Sequence, residues 1–212
     1  MELAPNCTVV EVTNWLDMGN TTKLANFLRK RHEARFFDPI ECLRKAADTY
    51  TGYGFSMMSL CCLLTETIQC FREGMPTTSR KEWSELVDIQ SNESVPVDYQ
   101  LPPAIPKNGR EVFSQFFSDF RSLFPNVDGS DFYDNIRNGL LHQAQTKNGW
   151  TIDATGTLLC DPPNKHINRN LFAQALRNSF GGYIQNLKGK GWTEPEWKNA
   201  RKKIWWLIRI SK

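Results

Sequence analysis

The sequence predicts a mainly α-helical domain, and three observations support this. Apolar residues recur at intervals of three and four over long stretches, which is the pattern of helices that bury one face. The chain has 212 residues, of which 40% are hydrophobic and 12% aromatic, enough for one well-buried core. A strand-like pattern with a glycine-containing turn occupies residues 147–160. We therefore expect an all-α helical bundle with one small β-hairpin.

Three helices are predicted in the N-terminal half, over residues 21–37, 38–48 and 55–72. Asp38 and Pro39 favour the start of the second helix, because aspartate caps a helix N-terminus and proline fits its first turn. The third helix is apolar around most of its circumference, so we expect it in the centre of the bundle. Residues 8–16 are too ambiguous to assign.

Residues 76–108 are the least regular part of the chain. Four prolines lie between residues 90 and 109, so a long loop or strap is predicted, with a short helix over 79–87. The boundary between two parts of the chain is placed near the end of this segment. Residues 1–105 contain the N-terminal helices and the proline-rich loop, and residues 106–212 form the second part. Neither part looks self-sufficient, so we expect a single domain over residues 1–212.

The second part contains four predicted helices, over residues 110–124, most of 128–150, 167–187 and 194–210. A broad phenylalanine stripe marks the first of them as a core or interface helix. The hairpin is expected between the second and third helices. Gly181 and Gly182 are expected to bend the third helix locally.

Cysteine usage and hydropathy favour a soluble, cytoplasmic protein without cofactors. Three of the six cysteines lie in the apolar helix over 55–72, and no C-x-x-C pair suggests a metal site. No phosphate-binding loop or dinucleotide fingerprint is present. We expect no signal peptide, and the most apolar run, residues 55–64, is too short to span a membrane. The formal net charge of +3 does not by itself indicate a polyanionic partner.

Residues 128–150 contain the strongest candidate for a chemical site. Apolar residues recur every four positions on one helix face, at Phe132, Ile136 and Leu140. Polar residues recur at the same spacing on another face, at Asp134, Asn138 and His142, and these three form the polar stripe. Arg137 lies beside the stripe. Buried hydrogen bonding and catalysis would each explain this arrangement, and we favour catalysis.

These residue types suit phosphate chemistry. An imidazole, with an unperturbed pKa of about 6.5, takes or gives a proton near neutral pH. A guanidinium holds a phosphate through two hydrogen bonds and stabilises the charge that gathers there. Asn138 lies one turn before His142, so its amide can orient the imidazole or the phosphate. Asp134, one turn earlier still, can extend the stripe or steady Arg137.

The segment Arg137-Asn138-Gly139-Leu140-Leu141-His142 resembles the signature of the HEPN superfamily. Ribonuclease members of that superfamily carry Arg, then Asn, His or Asp, then three to five residues and His, on a helical bundle. The setting is also similar, because an aromatic pair precedes the motif and a hairpin and long helix follow it. The resemblance covers roughly residues 110–187. It implies a HEPN-like fold with Arg137, Asn138 and His142 as catalytic residues and Asp134 in support.

The resemblance also implies a metal-independent endoribonuclease of the toxin or antiviral-defence type. In such enzymes the ribose 2′-hydroxyl attacks its own phosphate and leaves a 2′,3′-cyclic phosphate. The substrate is single-stranded RNA or a loop, often of tRNA. Such enzymes are usually homodimers with one composite active site, and an antitoxin or defence-system protein is an expected partner.

One geometric point affects this predicted site. Residues five apart on a regular α-helix point about 140° apart. Arg137 and His142 of one chain therefore face different directions. The site requires that Arg137 reach round the helix, that the helix distort at Gly139, or that two chains share one cleft.

The C-terminal helix combines three tryptophans with basic residues. Basic side chains bind phosphates, and aromatic rings beside them stack on bases. Four basic residues of this helix are therefore candidate RNA contacts: Lys198, Arg201, Lys202 and Lys203. The alternative is an amphipathic helix whose tryptophans pack inward while its lysines are solvated. The sequence favours the second interpretation. The remaining histidines, His32 and His166, are expected on the surface.

Two other functions compete with RNA cleavage. A catalytically silent HEPN-like module would mediate dimerisation or bind nucleic acid or nucleotides, although such modules usually lack the Arg/His pair. In an interaction scaffold, the polar stripe would be only a buried hydrogen-bond network.

Overall fold

The computed structural model describes residues 1–47 and 53–211. Of these residues, 65% are helical and 6% lie in strands, which confirms the predicted mainly α-helical class. The predicted end of the second helix at residue 48 lies outside the described residues.

The chain divides into two compact units that alternate along the sequence. Unit 1 contains Met1–His32, Ile68–Gly109 and Tyr183–Lys212. Unit 2 contains Glu33–Thr67 and Arg110–Gly182, and therefore includes the whole segment from Arg137 to His142.

Unit 1 begins with an antiparallel pair of short strands, β1 (Glu2–Ala4) and β2 (Cys7–Thr8). Its first helices are α1 (Val9–Asp17) and α2 (Thr21–His32). Helix α1 covers most of the residues that sequence reasoning left unassigned. A capping box starts it: Thr8 accepts from the Glu11 backbone N–H, and the Glu11 carboxylate accepts from the Thr8 N–H.

The proline-rich segment after helix α5 (Arg80–Asn92) is a strap, as predicted, but α5 itself is longer than the predicted 79–87. Side chains on neighbouring helices fasten the strap by its backbone. Gln90 accepts from the Leu101 N–H and donates to the Leu101 carbonyl. The Trp206 indole donates to the Tyr99 carbonyl at 2.9 Å. These bonds give partners to backbone N–H and carbonyl groups of the strap, which forms no regular hydrogen bonds with a neighbouring strand.

In unit 2 the predicted restart at Asp38 is not a break. After α2 the chain makes a π-helical turn, Glu33–Phe37, and continues directly into α3 (Asp38–Ala47). Pro39 lacks a backbone N–H, and a local change in winding is a common response of a helix to proline.

Helix α4 (Tyr53–Glu73) supplies residues to both units. Among the described helices, it is the one whose length and hydropathy would suit a membrane span, yet 56% of its apolar window is buried within the protein. Its cysteines Cys61, Cys62 and Cys70 are buried, as the sequence predicts. This burial is typical of the core helix of a soluble domain.

An aromatic core connects α6 (Gly109–Asp119), the motif region and α9 (Arg169–Lys188). Phe132 stacks on Phe172 with ring centroids 5.1 Å apart and on Phe113 at 5.9 Å. Phe117 meets Phe132 edge-on at 5.0 Å. The phenylalanine stripe of α6 is therefore core, one of the two roles predicted for it. The last helix of the chain, α10 (Pro195–Arg209), belongs to unit 1.

The β element after the motif is present, but its strand partners differ from the prediction. It contains β3 (Thr151–Asp153), β4 (Cys160–Asp161) and β5 (His166–Asn168) in the order β3-β5-β4. Strand β5 pairs parallel with β3 and antiparallel with β4. The two strands predicted to pair with each other are thus separated by β5, which precedes α9 directly.

Replacing Gly129 by alanine tests the close packing between α6 and the motif region. A Cβ at Gly129 would lie 2.5 Å from the Ser114 Cα and 2.8 Å from the Phe113 carbonyl oxygen. Because these are backbone atoms, we expect the free energy of unfolding in urea to fall by about 1–3 kcal/mol.

Gly181→Ala is the matched control, because a Cβ at this position in α9 meets nothing within 4 Å. It should leave stability unchanged or raise it by up to about 1 kcal/mol. Equal stability of Gly129→Ala and the wild type would contradict the packing described here.

Candidate functional site

The motif lies on a helix that changes its winding in the middle. Helix α7 (Gly129–Phe132) leads into a π-helical turn, Tyr133–Arg137, and then into α8 (Asn138–Gln143). We call residues 129–143 the motif helix. Asp128 caps its start by accepting from the Asp131 N–H at 2.7 Å. The Asn138 N–H bonds to the Tyr133 carbonyl, five residues back. Such π turns within α-helices are frequent at functional sites.

Asn135, inside the π turn, anchors the loop that follows the motif helix. Its backbone carbonyl accepts from the Lys147 N–H at 2.9 Å. Its side-chain oxygen accepts from the Asn148 amide at 2.7 Å, and its side-chain nitrogen donates to Asp131 at 2.6 Å. The residue is only 8% exposed. The π turn and loop 144–150 are therefore held together through one buried asparagine.

Gly139 lets the same loop lie directly on the motif helix. A Cβ at this position would be 2.3 Å from the Gln145 carbonyl oxygen. The Gly139 carbonyl accepts from the Gln145 N–H at 3.3 Å, and Ala144 reverses the chain with a φ of 52°. Gly139 is thus a packing position. The sequence analysis named a distortion of the helix at Gly139 as one way to bring Arg137 towards His142. The helix is instead distorted one turn earlier, at the π turn Tyr133–Arg137.

Arg137 is held in place by three neighbouring side chains. Its Nη2 donates to Glu66 Oε2 at 3.3 Å, and its Nη1 donates to Asn138 Oδ1 at 3.2 Å. The guanidinium lies over the Tyr133 ring, 5.2 Å from its centroid. The Arg137 and Glu66 side chains are each 17% exposed. Little freedom remains for this guanidinium.

The bond to Asn138 bears on the geometric difficulty of the motif. Asn138 and His142 lie one turn apart in α8 and share a helix face. Because Arg137 donates to Asn138, its guanidinium reaches towards that face despite its position in the sequence. His142 is exposed and has no hydrogen-bond partner among the described residues. A single chain therefore brings Arg137 to Asn138, and His142 lies on the next turn.

Asp134 does not steady Arg137, as the sequence suggested that it can. Its carboxylate pairs with Arg110 at 2.8 Å, and both side chains are about half exposed, at 45% and 55%. Exposed pairs of this kind add little stability. Glu66 takes the role that sequence reasoning gave to Asp134.

Sequence reasoning missed Glu66, Tyr133 and Asn135 as parts of this site. Glu66 had one weak signal, an acidic residue within a long apolar helix. Tyr133 lies four residues before Arg137, a spacing that pairs side chains on a helix. Asn135 offered no signal, because its role depends on the π turn.

The nearby Cys62 is not a candidate nucleophile. Burial raises the pKa of its thiol well above the usual value, and Glu66 raises it further, although Arg137 acts in the opposite direction. A reactive cysteine requires the thiolate. Among the described residues, no group of three or more His, Cys, Asp or Glu side chains is arranged to hold a metal ion.

The basic residues of α10 do not form one exposed surface. Arg201 is 6% exposed, pairs with Asp98 at 2.6 Å and lies over the Trp192 ring. Lys203 donates to the Pro76 carbonyl. Burial lowers the pKa of Lys202, and Lys198 remains exposed. Arg201 and Lys203 thus serve the protein's own packing and are withdrawn as RNA contacts. Trp197 and Trp206 are buried, as the amphipathic interpretation predicts, but of the lysines that it expects to be solvated only Lys198 is exposed.

The other two histidines are less exposed than predicted. His32 is buried, and its Nδ1 lies 2.7 Å from the Leu28 carbonyl. His166 is half-buried, and its Nε2 lies 2.7 Å from Asp153 Oδ1. Burial raises the pKa of Asp153, but hydrogen bonds from His166 and Thr155 outweigh this effect and bring it to about 2. Asp153 and His166 thereby join β3 to β5.

Comparison of the chain with protein-family models, with curated proteins and with solved structures finds no match. The resemblance to the HEPN superfamily therefore rests on the motif and its setting in the sequence.

The Asp153–His166 pair predicts an acid dependence of stability. A carboxyl whose pKa is lowered on folding stabilises the protein above its unfolded pKa, and this contribution is lost as the pH falls towards the folded pKa. With values of 3.8 and about 2, the loss falls between about pH 4 and pH 2. We expect Asp153→Asn to have a lower urea midpoint than the wild type at pH 5, and the gap to narrow towards pH 2. A gap that stays constant over this range would show that the pair does not act in this way.

Proposed function

We propose that the protein is a metal-independent endoribonuclease whose active site is centred on Arg137, Asn138 and His142. The observation that carries this proposal is the bond from Arg137 to Asn138, beside the exposed imidazole of His142. It gathers a cation, an amide and a proton-transfer group at the end of one helix. These are the groups that cleavage of a phosphodiester by a neighbouring hydroxyl requires.

His142 is assigned proton transfer in this reaction. As general base it takes the proton from the ribose 2′-hydroxyl, whose oxygen then attacks the adjacent phosphorus. The bond from phosphorus to the 5′-oxygen breaks, and that oxygen takes a proton from water, while the imidazolium of His142 returns its proton to water. The products carry a 2′,3′-cyclic phosphate and a 5′-hydroxyl. Proton transfer by a positioned side chain accelerates such reactions roughly 10²- to 10⁴-fold.

Arg137 is assigned stabilisation of the charge on the reacting phosphate. A guanidinium has five N–H donors, and Glu66 and Asn138 account for two of them. The buried Nε has no hydrogen-bond partner among the described residues. Nη1 and Nη2 each keep one further N–H, and these two donors are assigned to the phosphate. Glu66 is a positioning residue that limits the guanidinium to one pose.

The substrate, the oligomeric state and the partner proteins that we propose are those that the resemblance to the HEPN superfamily implies. The substrate is single-stranded RNA or a tRNA loop in the cytoplasm, and two chains form a homodimer with a composite site. A role as a toxin or antiviral-defence effector, controlled by an antitoxin or another protein of its system, follows from the same resemblance.

A second candidate is a catalytically silent module of the same superfamily. The observation that favours it is the partly buried pair between Arg137 and Glu66, which a purely structural arginine would also make. In that case neutralising Glu66 would change stability and no RNA would be cleaved by any form of the protein.

Cleavage of total RNA by the purified full chain in EDTA tests the proposal. We expect products with a 2′,3′-cyclic phosphate and a rate at least about 100-fold lower for His142→Ala. Arg137→Lys should also lose most activity, because it keeps the charge but not the planar array of donors. Glu66→Gln should reduce the rate while the variant remains folded.

Gln143→Ala, which changes an exposed neighbour of His142, is the matched control and should cleave at the wild-type rate. Circular dichroism establishes that each variant is folded. Undiminished cleavage by folded His142→Ala, or strict dependence on a divalent metal, would overturn the proposal. Wild-type protein that cleaves no RNA, together with a less stable Glu66→Gln, favours the silent module.

A further inference from the structure

The loop after the motif helix, residues 144–150, contains an exposed asparagine followed by an exposed glycine. The Trp150 N–H donates to the Lys147 carbonyl at 3.1 Å and closes a turn around Asn148 and Gly149. Both central residues have a positive φ, 53° for Asn148 and 79° for Gly149, which is the pattern of a type I′ turn. This turn is distinct from the residues to which RNA cleavage is assigned.

The Asn148–Gly149 pair holds a nucleophile beside an electrophile. The backbone nitrogen of Gly149 can attack the side-chain carbon Cγ of Asn148 and close a succinimide ring, and the step is intramolecular. Glycine has no Cβ to shield this nitrogen. The nearest atom that the structure places beside a Cβ built on Gly149 is the Lys165 Cδ, at 3.9 Å. The Gly149 N–H donates to no group among the described residues, so the fold does not occupy it.

Lys165 lies where negative charge develops in this ring closure. The attacking species is the Gly149 nitrogen after loss of its proton, and its charge is shared with the backbone carbonyl oxygen of Asn148. The Lys165 Nζ donates to that oxygen at 2.8 Å. The Lys165 backbone is itself fixed, because its carbonyl accepts from the Thr151 N–H at 2.8 Å. A charged donor placed on an oxygen that becomes negative lowers the barrier of the reaction.

The amide that would be lost is one of the groups that fasten the loop to the π turn. The Asn148 Nδ2 donates to the Asn135 Oδ1 at 2.7 Å. A carboxylate at position 148 has no N–H, so it would set its own oxygen against that of Asn135. A buried acceptor that loses its donor is costly. The same chemical step that changes Asn148 therefore opposes the attachment of the loop.

We propose that Asn148 is a site of self-modification that Lys165 assists, and that the modification releases loop 144–150 from the π turn. The Gly149 nitrogen attacks the Asn148 Cγ and loses its proton. The bond from Cγ to Nδ2 breaks, and the amide nitrogen leaves with that proton as ammonia. Water then opens the ring: addition at Cγ gives aspartate, and addition at the backbone carbonyl carbon gives isoaspartate. Water is the only co-reactant, and no atom is oxidised or reduced.

Peptide mass mapping of the full chain, incubated in mildly alkaline buffer, tests the modification. The sequence has two further Asn-Gly pairs as internal controls, Asn108–Gly109 and Asn138–Gly139, whose glycines are buried at the start of a helix. We expect the mass gain from amide to carboxylate at Asn148 at least about tenfold faster than at the other two, since a loop opens more readily than a helix. In urea the three rates should become similar.

Lys165→Met tests the assisting role, because it removes the ammonium and keeps an unbranched side chain. We expect the rate at Asn148 to fall about two- to fivefold, the effect of an exposed charged contact, and Lys165→Arg to restore it. Lys198→Met, a change at another exposed lysine, is the matched control and should react at the wild-type rate. An unmodified Asn148, equal rates at the three pairs in the folded protein, or an unchanged rate in Lys165→Met would overturn the proposal.

Asn148→Asp imitates the modified chain and tests the release of the loop. The Lys147 backbone amide should lose most of its protection from hydrogen exchange, measured by NMR, and protection equal to that of the wild type would overturn the release. Asn148→Asp should also cleave RNA more slowly, and this expectation alone rests on the proposed function. If the wild type cleaves no RNA, peptide masses and amide protection still decide whether the modification and the release occur.

Discussion

The contacts of Asn135 are the constraint on which the candidate site depends. A π turn places this residue where its carbonyl meets the Lys147 N–H and its side chain joins Asp131 to Asn148. Breaking these three hydrogen bonds is costly, because a buried polar group that loses its protein partner has no water to replace it. The loop after the motif is therefore fixed to the turn that carries Arg137. Gly139 allows this by leaving room for the Gln145 carbonyl.

This arrangement would meet two opposite requirements of the proposed catalytic centre. A cation that stabilises a transition state must be positioned before the reaction, whereas a proton-transfer group must be accessible to substrate. Arg137 is held by Glu66, Asn138 and Tyr133 in a partly buried pose. His142 lies one turn beyond Asn138, exposed to solvent. A change of winding within one helix separates the rigid part of the site from the accessible part.

Helix periodicity predicted most helices to within a few residues, because each buries a regular apolar face. The N-terminal helix was missed although Thr8 and Glu11 form its capping box, since its apolar pattern is short. The sheet was mispaired because β5 lies at the beginning of what was predicted as helix. The pattern predicted one helix for Arg137, Asn138 and His142, and all three lie on the motif helix. Glu66, which pairs with Arg137, is 71 residues away from it, and neither that contact nor the π turn follows from the local sequence pattern.

The most direct test of this account is the hydrogen-exchange rate of the Lys147 backbone amide, measured by NMR. If Asn135 fixes the loop to the π turn, this amide is protected to a similar extent as that of Asn138, which bonds to the carbonyl of Tyr133. Asn135→Ala should then remove much of the protection at Lys147. Exchange of Lys147 in the wild-type protein at the rate of an unstructured peptide would show that the loop is not held, and would contradict the account.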